Sequence, residues 1–394
     1  MPSGAATPLD GPRAVAAILA GSWRRESPGP AGLSSRELVS AVPILFGTGA
    51  AALGWRQLEK LPPLSAIPAA EMLHRATKML ALEDARNQRA VERAVATLNA
   101  AEIEPLLVKG WAVARHYPET YLRPYGDVDL CAPPGRHAEA RACLAKAAMP
   151  RAGRTAIGNF VIDCGPDAKP CTVDLHRDFR REHIDDVEGL FERSHTVRIG
   201  AAKAKLPSAE DHLRFVITHF LRHGGARPLW LCDIAALVEA AGDDFDWALC
   251  LGNDRRSAEW VATGITLAAD LLGCDVSRVP ATARADRVPE WLVDVMLREW
   301  TRVNAVRRTG AMGAPFPSRF SDARPWFSQR CANPIAATVA CRGSFGDGWQ
   351  RAYQAADFTA RAAGYCWRLS RAATRIRTRL RHRAAPSRGP NAPT

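Results

Sequence analysis

The chain has 394 residues, 47% hydrophobic and 24% charged, an ordinary globular composition that argues against a largely disordered protein. Its net charge is +12, but past Tyr365 come Arg368, Arg371, Arg375, Arg377, Arg379, Arg381, Arg383 and Arg388 with no acid among them. The basicity therefore belongs to a tail and says little about the core. The 10 cysteines are scattered, with no CxxC; that spacing speaks against a common zinc site and fits reduced thiols in a cytoplasmic protein.

Residues 1–33, rich in Pro, Gly, Ser and Ala, read as a flexible N-terminal arm. They lack the basic segment and sustained apolar run of a secretion signal. The stretch from 34 to 100 is a helical region, opened by the helix-start signal Ser34-Ser35-Arg36-Glu37-Leu38 and carried on by apolar residues at helical spacing. Within it, 38–55 is uncharged and just long enough to span a membrane. Pro43, Gly47, Gly49 and Gly54 interrupt it, so it reads as a buried helical pair and no transmembrane segment is expected. The G-x-G-x-x-A run at 47–52 has no clear strand before it and no βαβ unit around it, so a dinucleotide site is not expected there.

The texture changes at 101–200. Residues 104–110 (EPLLVKG) form a short apolar run ending at Gly, a strand, and 111–117 a helix that Pro118 follows. Residues 127–132 (DVDLCA) are a second strand, 133–149 a turn and helix, and 159–164 and 170–179 a strand pair. From 201 to 305 the chain is helical again, with Ser208 and Asp211 at capping-box spacing. Residues 306–394 read as an irregular segment followed by a basic amphipathic helix at about 350–383 and a disordered end. The fold class is α+β: a small mixed-sheet core embedded in a mostly helical protein.

The chemistry concentrates on two strands. Alternation turns Val128 and Leu130 into a core and leaves Asp127 and Asp129 together on the opposite face. Like charges that close repel unless a cation or a proton holds them. On the later strand, Val173 and Leu175 turn inward and Thr172, Asp174 and His176 outward, so Asp174 joins the pair if the strands are neighbours. Three carboxylates on adjacent strands suit hard divalent cations, with Mg²⁺ the natural occupant and a two-metal site the expected form. Lys109-Gly110 ends a strand where a helix begins, a cradle for nucleotide phosphates to which Arg123 and Arg115 add charge. The bland alternative is a solvated edge strand whose acids serve solubility. His176 either orients Asp174, touches substrate or is a half-buried strand residue. His219 and His223 lie at i, i+4 without the glutamate of a zinc-protease motif, so packing is the expected role. Asp233 reads as a buried partner for an arginine.

The segment LLVKGWAVARHYPETYLRPYGDVDLCA, with the later VDLH, resembles the uncharacterised bacterial nucleotidyltransferase family within the polymerase β-like nucleotidyltransferase superfamily. The helical segments AEDHLRFVITHFLRHGG and LWLCDIAALV extend the resemblance to roughly residues 35–275. It implies that Asp127 and Asp129 are the metal-binding pair, and that Asp174 is the third carboxylate, able to activate an acceptor hydroxyl. It implies that Gly110 is the glycine of the phosphate turn. The wider superfamily usually has Gly-Ser there; Lys-Gly stands here, and Lys109 is expected to replace the serine's contact. The implied reaction is transfer of a nucleoside monophosphate from a nucleoside triphosphate, ATP among them, to an acceptor hydroxyl of a small molecule, protein or RNA. Lys109, Gly110, Arg123 and His176 would bind the nucleotide. The basic tail would suit RNA or an acidic surface. The rival is a non-catalytic nucleotide-binding or scaffold protein that keeps the fold.

Overall fold

The computed structural model describes residues 10–27, 29–149, 160–163, 170–309, 332–364 and 367. The expected basic tail from Arg368 onward lies outside the described residues, as does most of the irregular segment.

The N-terminal stretch is not a loose arm where it is described. Helix α1 (Gly11–Leu19) is capped by Asp10, whose side chain accepts from the Arg13 N–H. Val15, Ile18 and Leu19 are fully buried; helical spacing of these apolar residues outweighs the surrounding Gly and Pro. Beyond it, Trp23 Nε1 donates to Glu239 Oε2 at 2.9 Å, and Arg24 Nε donates to the same oxygen at 2.9 Å.

The uncharged stretch forms the expected buried pair, α2 (Ser35–Thr48) and α3 (Ala51–Leu58). A capping box between Ser34 and Glu37 starts α2, and Gly49 at φ 85° ends it in the left-handed region. Among the described residues no helix is long and apolar enough to cross a membrane. After the short α4 (Pro62–Ser65) comes α5 (Pro68–Asn99), 32 residues in one helix and so about 48 Å long.

A six-stranded mixed sheet follows, built of β1 (Leu106–Leu107), β2 (Asp127–Cys131), β3 (Phe160–Ile162), β4 (Cys171–His176), β5 (His195–Ile199) and β6 (Ala202–Leu206), in the order β3-β4-β2-β1-β6-β5. The pairs β1–β6 and β2–β4 are parallel; the others are antiparallel. Between strands lie α6 (Trp111–Ala114), α7 (His137–Ala147) and α8 (Val187–Glu192). The helical remainder comprises α9 (Ala209–Arg222), α10 (Pro228–Glu239), α11 (Trp247–Leu251), α12 (Arg255–Leu272), α13 (Glu290–Thr309) and α14 (Pro334–Ala340), with residues 350–364 also helical. Helix α14 corrects part of the expected irregular segment: Ile335 and Val339 have no exposed surface, so burial orders a stretch whose composition suggested otherwise.

Two faces of the sheet are covered by different material. Val91, Val95 and Leu98 of α5 pack with Val128, Leu130 and Val173 on one face. Phe179, Leu190 and Phe215 cover Leu106, Val108 and Cys131 on the other. The helices before and after the sheet share one core, from Val15 and Leu45 through Phe220, Trp260 and Trp300 to Phe345. The expected division into separate helical regions, 34–100 and 201–305, therefore corresponds to one packed unit. Helix α5 joins it to the sheet, with Leu73 in the helical core and Leu98 in the sheet core.

Candidate functional site

Parallel pairing of β2 with β4 sets Asp129 directly beside Asp174, Asp127 beside Thr172 and Cys131 beside His176. Val128, Leu130 and Val173 on the alternate positions are buried in the sheet core, which fixes the register and turns the acids to the other face. Leu175 is only partly buried.

Asp129 is the centre of the cluster. Its side chain is 4% exposed. Lys109, just past β1, places Nζ 2.7 Å from Asp129 Oδ1. His176 Nε2 donates to the same oxygen at 2.9 Å and lies 3.8 Å from Asp174 Oδ2. Burial by itself would raise the Asp129 carboxyl, but the His176 hydrogen bond and the Lys109 charge outweigh it and hold it at about 2. Asp127 stands at the exposed end of β2. Its carboxyl is raised, by partial loss of solvent and then by the Asp129 charge, with Lys109 opposing.

Asp129, Asp174 and His176 each offer a ligand atom, all within 4.8 Å of one another. Asp127 lies outside this set, two residues back along the same strand. Two carboxylates and an imidazole that crowd one point, with a lysine ammonium drawn in among them, are a donor set that fits a divalent cation.

Gly110 is held at φ 57°, ψ −109° between Lys109 and α6. A Cβ there would come 3.3 Å from Tyr125 Cβ and 3.5 Å from the Asp127 carbonyl oxygen. The glycine thus lets the turn close against the segment leading into β2.

Arg123 is engaged. It is 7% exposed, and its Nε and Nη2 donate to the Asp233 carboxylate of α10, Nη2 to Oδ2 at 2.7 Å. Tyr117 Oη donates to Asp233 Oδ1 at 2.7 Å. The arginine expected near the phosphates thus ties the loop before β2 to the helical unit, while still lining the cleft. Asp233 is the buried partner of an arginine, as its sequence context suggested.

These groups open into a cleft of about 1010 Å³ between the sheet and α9–α10. Lys109, Gly110, Asp127, Asp129, Asp174 and His176 line one side. Facing them are groups that sequence reasoning left out or read as packing. Glu182 accepts from the Arg222 guanidinium. The rings of His219 and His223 lie 4.5 Å apart, and both meet Trp230 edge-on at 4.9 and 5.4 Å. The Arg227 guanidinium carbon lies 4.9 Å from the Trp230 ring centroid. Burial pushes His219 down to about 4 against the pull of Glu182. The i, i+3, i+4 spacing of His219, Arg222 and His223 was the available signal: it puts three polar groups on one helix face.

The family described as uncharacterised nucleotidyltransferase matches residues 44–273. The chain belongs to that family. The enzyme is thus a nucleotidyltransferase, and the matched span contains both walls of the cleft. No curated protein matches it. A solved structure, of an antigenic nucleotidyltransferase-like protein from Paracoccidioides brasiliensis, is similar at 18% identity over 40% of this chain and 78% of that chain, with a TM-score of 0.33. Arg115, the further cation considered for phosphates, packs its guanidinium carbon 5.2 Å from the Trp111 ring centroid.

Proposed function

We propose that this nucleotidyltransferase moves a nucleoside monophosphate from a nucleoside triphosphate to an acceptor hydroxyl, with Mg²⁺ held by Asp127, Asp129 and Asp174. The observation that carries the proposal is the juxtaposition of Asp129, Asp174 and His176 within 4.8 Å at the wall of a cleft large enough for a nucleotide.

Asp127, Asp129 and Asp174 would hold the cation, with His176 fixing the Asp129 carboxylate. Such a cation, when bound, neutralises charge on the phosphate oxygens and on the leaving group. The chain's own groups do the rest. The Lys109-Gly110 turn places an ammonium and a sterically open backbone where phosphates approach. Asp174, on the same face as Asp129, accepts the proton of the acceptor hydroxyl. The hydroxyl oxygen forms its bond to the α-phosphorus, the bond from that phosphorus to the α–β bridging oxygen breaks, and pyrophosphate leaves. In-line displacement of this kind depends on positioning and charge, and the tie between Arg123 and Asp233 holds the loop that leads into β2.

The test is transfer of label from each α-labelled nucleoside triphosphate with Mg²⁺, using host extract as acceptor pool with and without nuclease or protease. Asp127→Asn with Asp129→Asn serves as control. Label transfer that disappears in the double variant supports the reaction. Absence of any cation-dependent triphosphate binding would overturn it in favour of a scaffold role. Truncation after Tyr365, read through the salt dependence of RNA binding, tests whether the tail recruits an RNA acceptor.

A further inference from the structure

The cleft has more room than one nucleotide needs, since about 1010 Å³ sits at the top of the usual range for a single ligand. Its two walls also differ in charge. The sheet side presents Asp127, Asp129, Asp174 and Asp178 against Lys109 and Arg177. The helical side presents Arg222 of α9 and Arg227 just before α10, with Glu182 from the turn after β4 paired to Arg222, while Arg123 and Asp233 are paired with each other. The acidic wall calls for cations and the basic wall for an anion.

Two of those arginines are pre-oriented. Arg222 is braced by Glu182, which is 6% exposed. Arg227 lies against Trp230, which in turn packs on His219 and His223. A guanidinium held in place loses less freedom when it binds a planar or tetrahedral oxyanion, so it binds more tightly.

We propose that the wall formed by Arg222, His223, Arg227 and Trp230 is the acceptor subsite and that it holds a phosphate group, so the molecule receiving the nucleotidyl group is a phosphorylated one. The inference rests on the nucleotidyl-transfer reading of the opposite wall. The triphosphate is assigned to the side that carries Asp129, Asp174 and the Lys109-Gly110 turn. The acceptor enters in line from the other side of the α-phosphorus, which leaves the helical wall to position it.

Binding calorimetry on the full chain tests this. The probes are glycerol 3-phosphate, inorganic phosphate and glycerol, each with and without Mn²⁺ and an α,β-methylene nucleoside triphosphate. The variants are Arg227→Gln and the paired change Glu182→Gln with Arg222→Gln, which removes both members of an ion pair together. Glycerol 3-phosphate and phosphate should bind saturably and glycerol should not. Each variant should weaken glycerol 3-phosphate at least tenfold and leave the triphosphate analogue within about twofold. The proposal is overturned if glycerol 3-phosphate does not bind, if it binds the variants as well as the parent, or if the analogue weakens in parallel. That last result would assign the arginines to the triphosphate. Failure of the analogue to bind the parent protein is a separate result and counts against nucleotidyl transfer itself, while phosphate binding without analogue still reports on the arginine wall.

Discussion

Lys109 Nζ and Asp129 Oδ1 lie 2.7 Å apart, and His176 shares the same oxygen. A buried carboxylate needs such partners, because removing one leaves charge stranded away from water. The lysine therefore stabilises the cluster in the absence of a bound cation.

Replacing Lys109 with Met should cost about 2–3 kcal/mol at neutral pH, measured by urea denaturation. Added Mg²⁺ should raise the melting temperature of the variant more than that of the parent. Equal stability of the two proteins would show that the pair contributes nothing. The sign with pH follows from Asp129: held at about 2 against 3.8 when free, it stabilises the fold above 3.8 and loses that contribution as pH falls toward 2.

The Arg123–Asp233 pair is almost fully buried, 8% and 1% exposed. Asp233→Asn or Arg123→Met should each destabilise by about 3–5 kcal/mol, because the surviving charge has no water to turn to. Arg123→Met with Asp233→Leu should recover a large part of that loss. A double variant as unstable as the sum of the single changes would contradict the buried-charge explanation. Tyr117→Phe, which removes one hydrogen bond to a charged acceptor, should cost about 1.5–3 kcal/mol.

Gly110→Ala forces a side chain into φ 57°, ψ −109° and against Tyr125. A loss of about 1–3 kcal/mol is expected from the backbone alone. The same change should weaken triphosphate binding by displacing Lys109. An alanine variant with parental stability would mean that the turn relaxes without strain.

His212 and His219 are kept neutral in the fold, at about 3 and about 4 against 6.5 when free. Burial is the main cause in both. Below pH 6.5 the unfolded chain takes up protons that the native chain refuses, so stability falls as pH drops from 6.5 toward 4. The slope should approach about 1.4 kcal/mol per pH unit for each histidine. His212→Phe should reduce it by about 1.4 kcal/mol per pH unit, as read from urea midpoints at pH 7, 6, 5 and 4.5. An unchanged slope would show that His212 is protonated in the fold.

The acids of the site were legible because strand alternation is a local property. Asp127 and Asp129 flank Val128, Asp174 lies between Val173 and Leu175, and a period of two places each set on one face without reference to the rest of the chain. The capping signals at Ser34 and Ser208 were local as well, and both caps form.

What the sequence could not carry is how distant segments meet. That β2 and β4 are parallel neighbours, so that Asp129 stands beside Asp174, is decided by packing across some 45 intervening residues. The partner of Arg123 lies 110 positions away, too far for any spacing rule. The Arg222–Trp230 wall exists only because α9 and α10 fold back over the sheet. Composition misread residues 11–19 and 334–340, since Gly and Pro nearby suggested loops while burial of Val15, Ile18, Ile335 and Val339 made helices. Local chemistry thus determined which residues could act, and long-range burial decided which of them face one another, because only the packed core brings separate strands and helices to a common cleft.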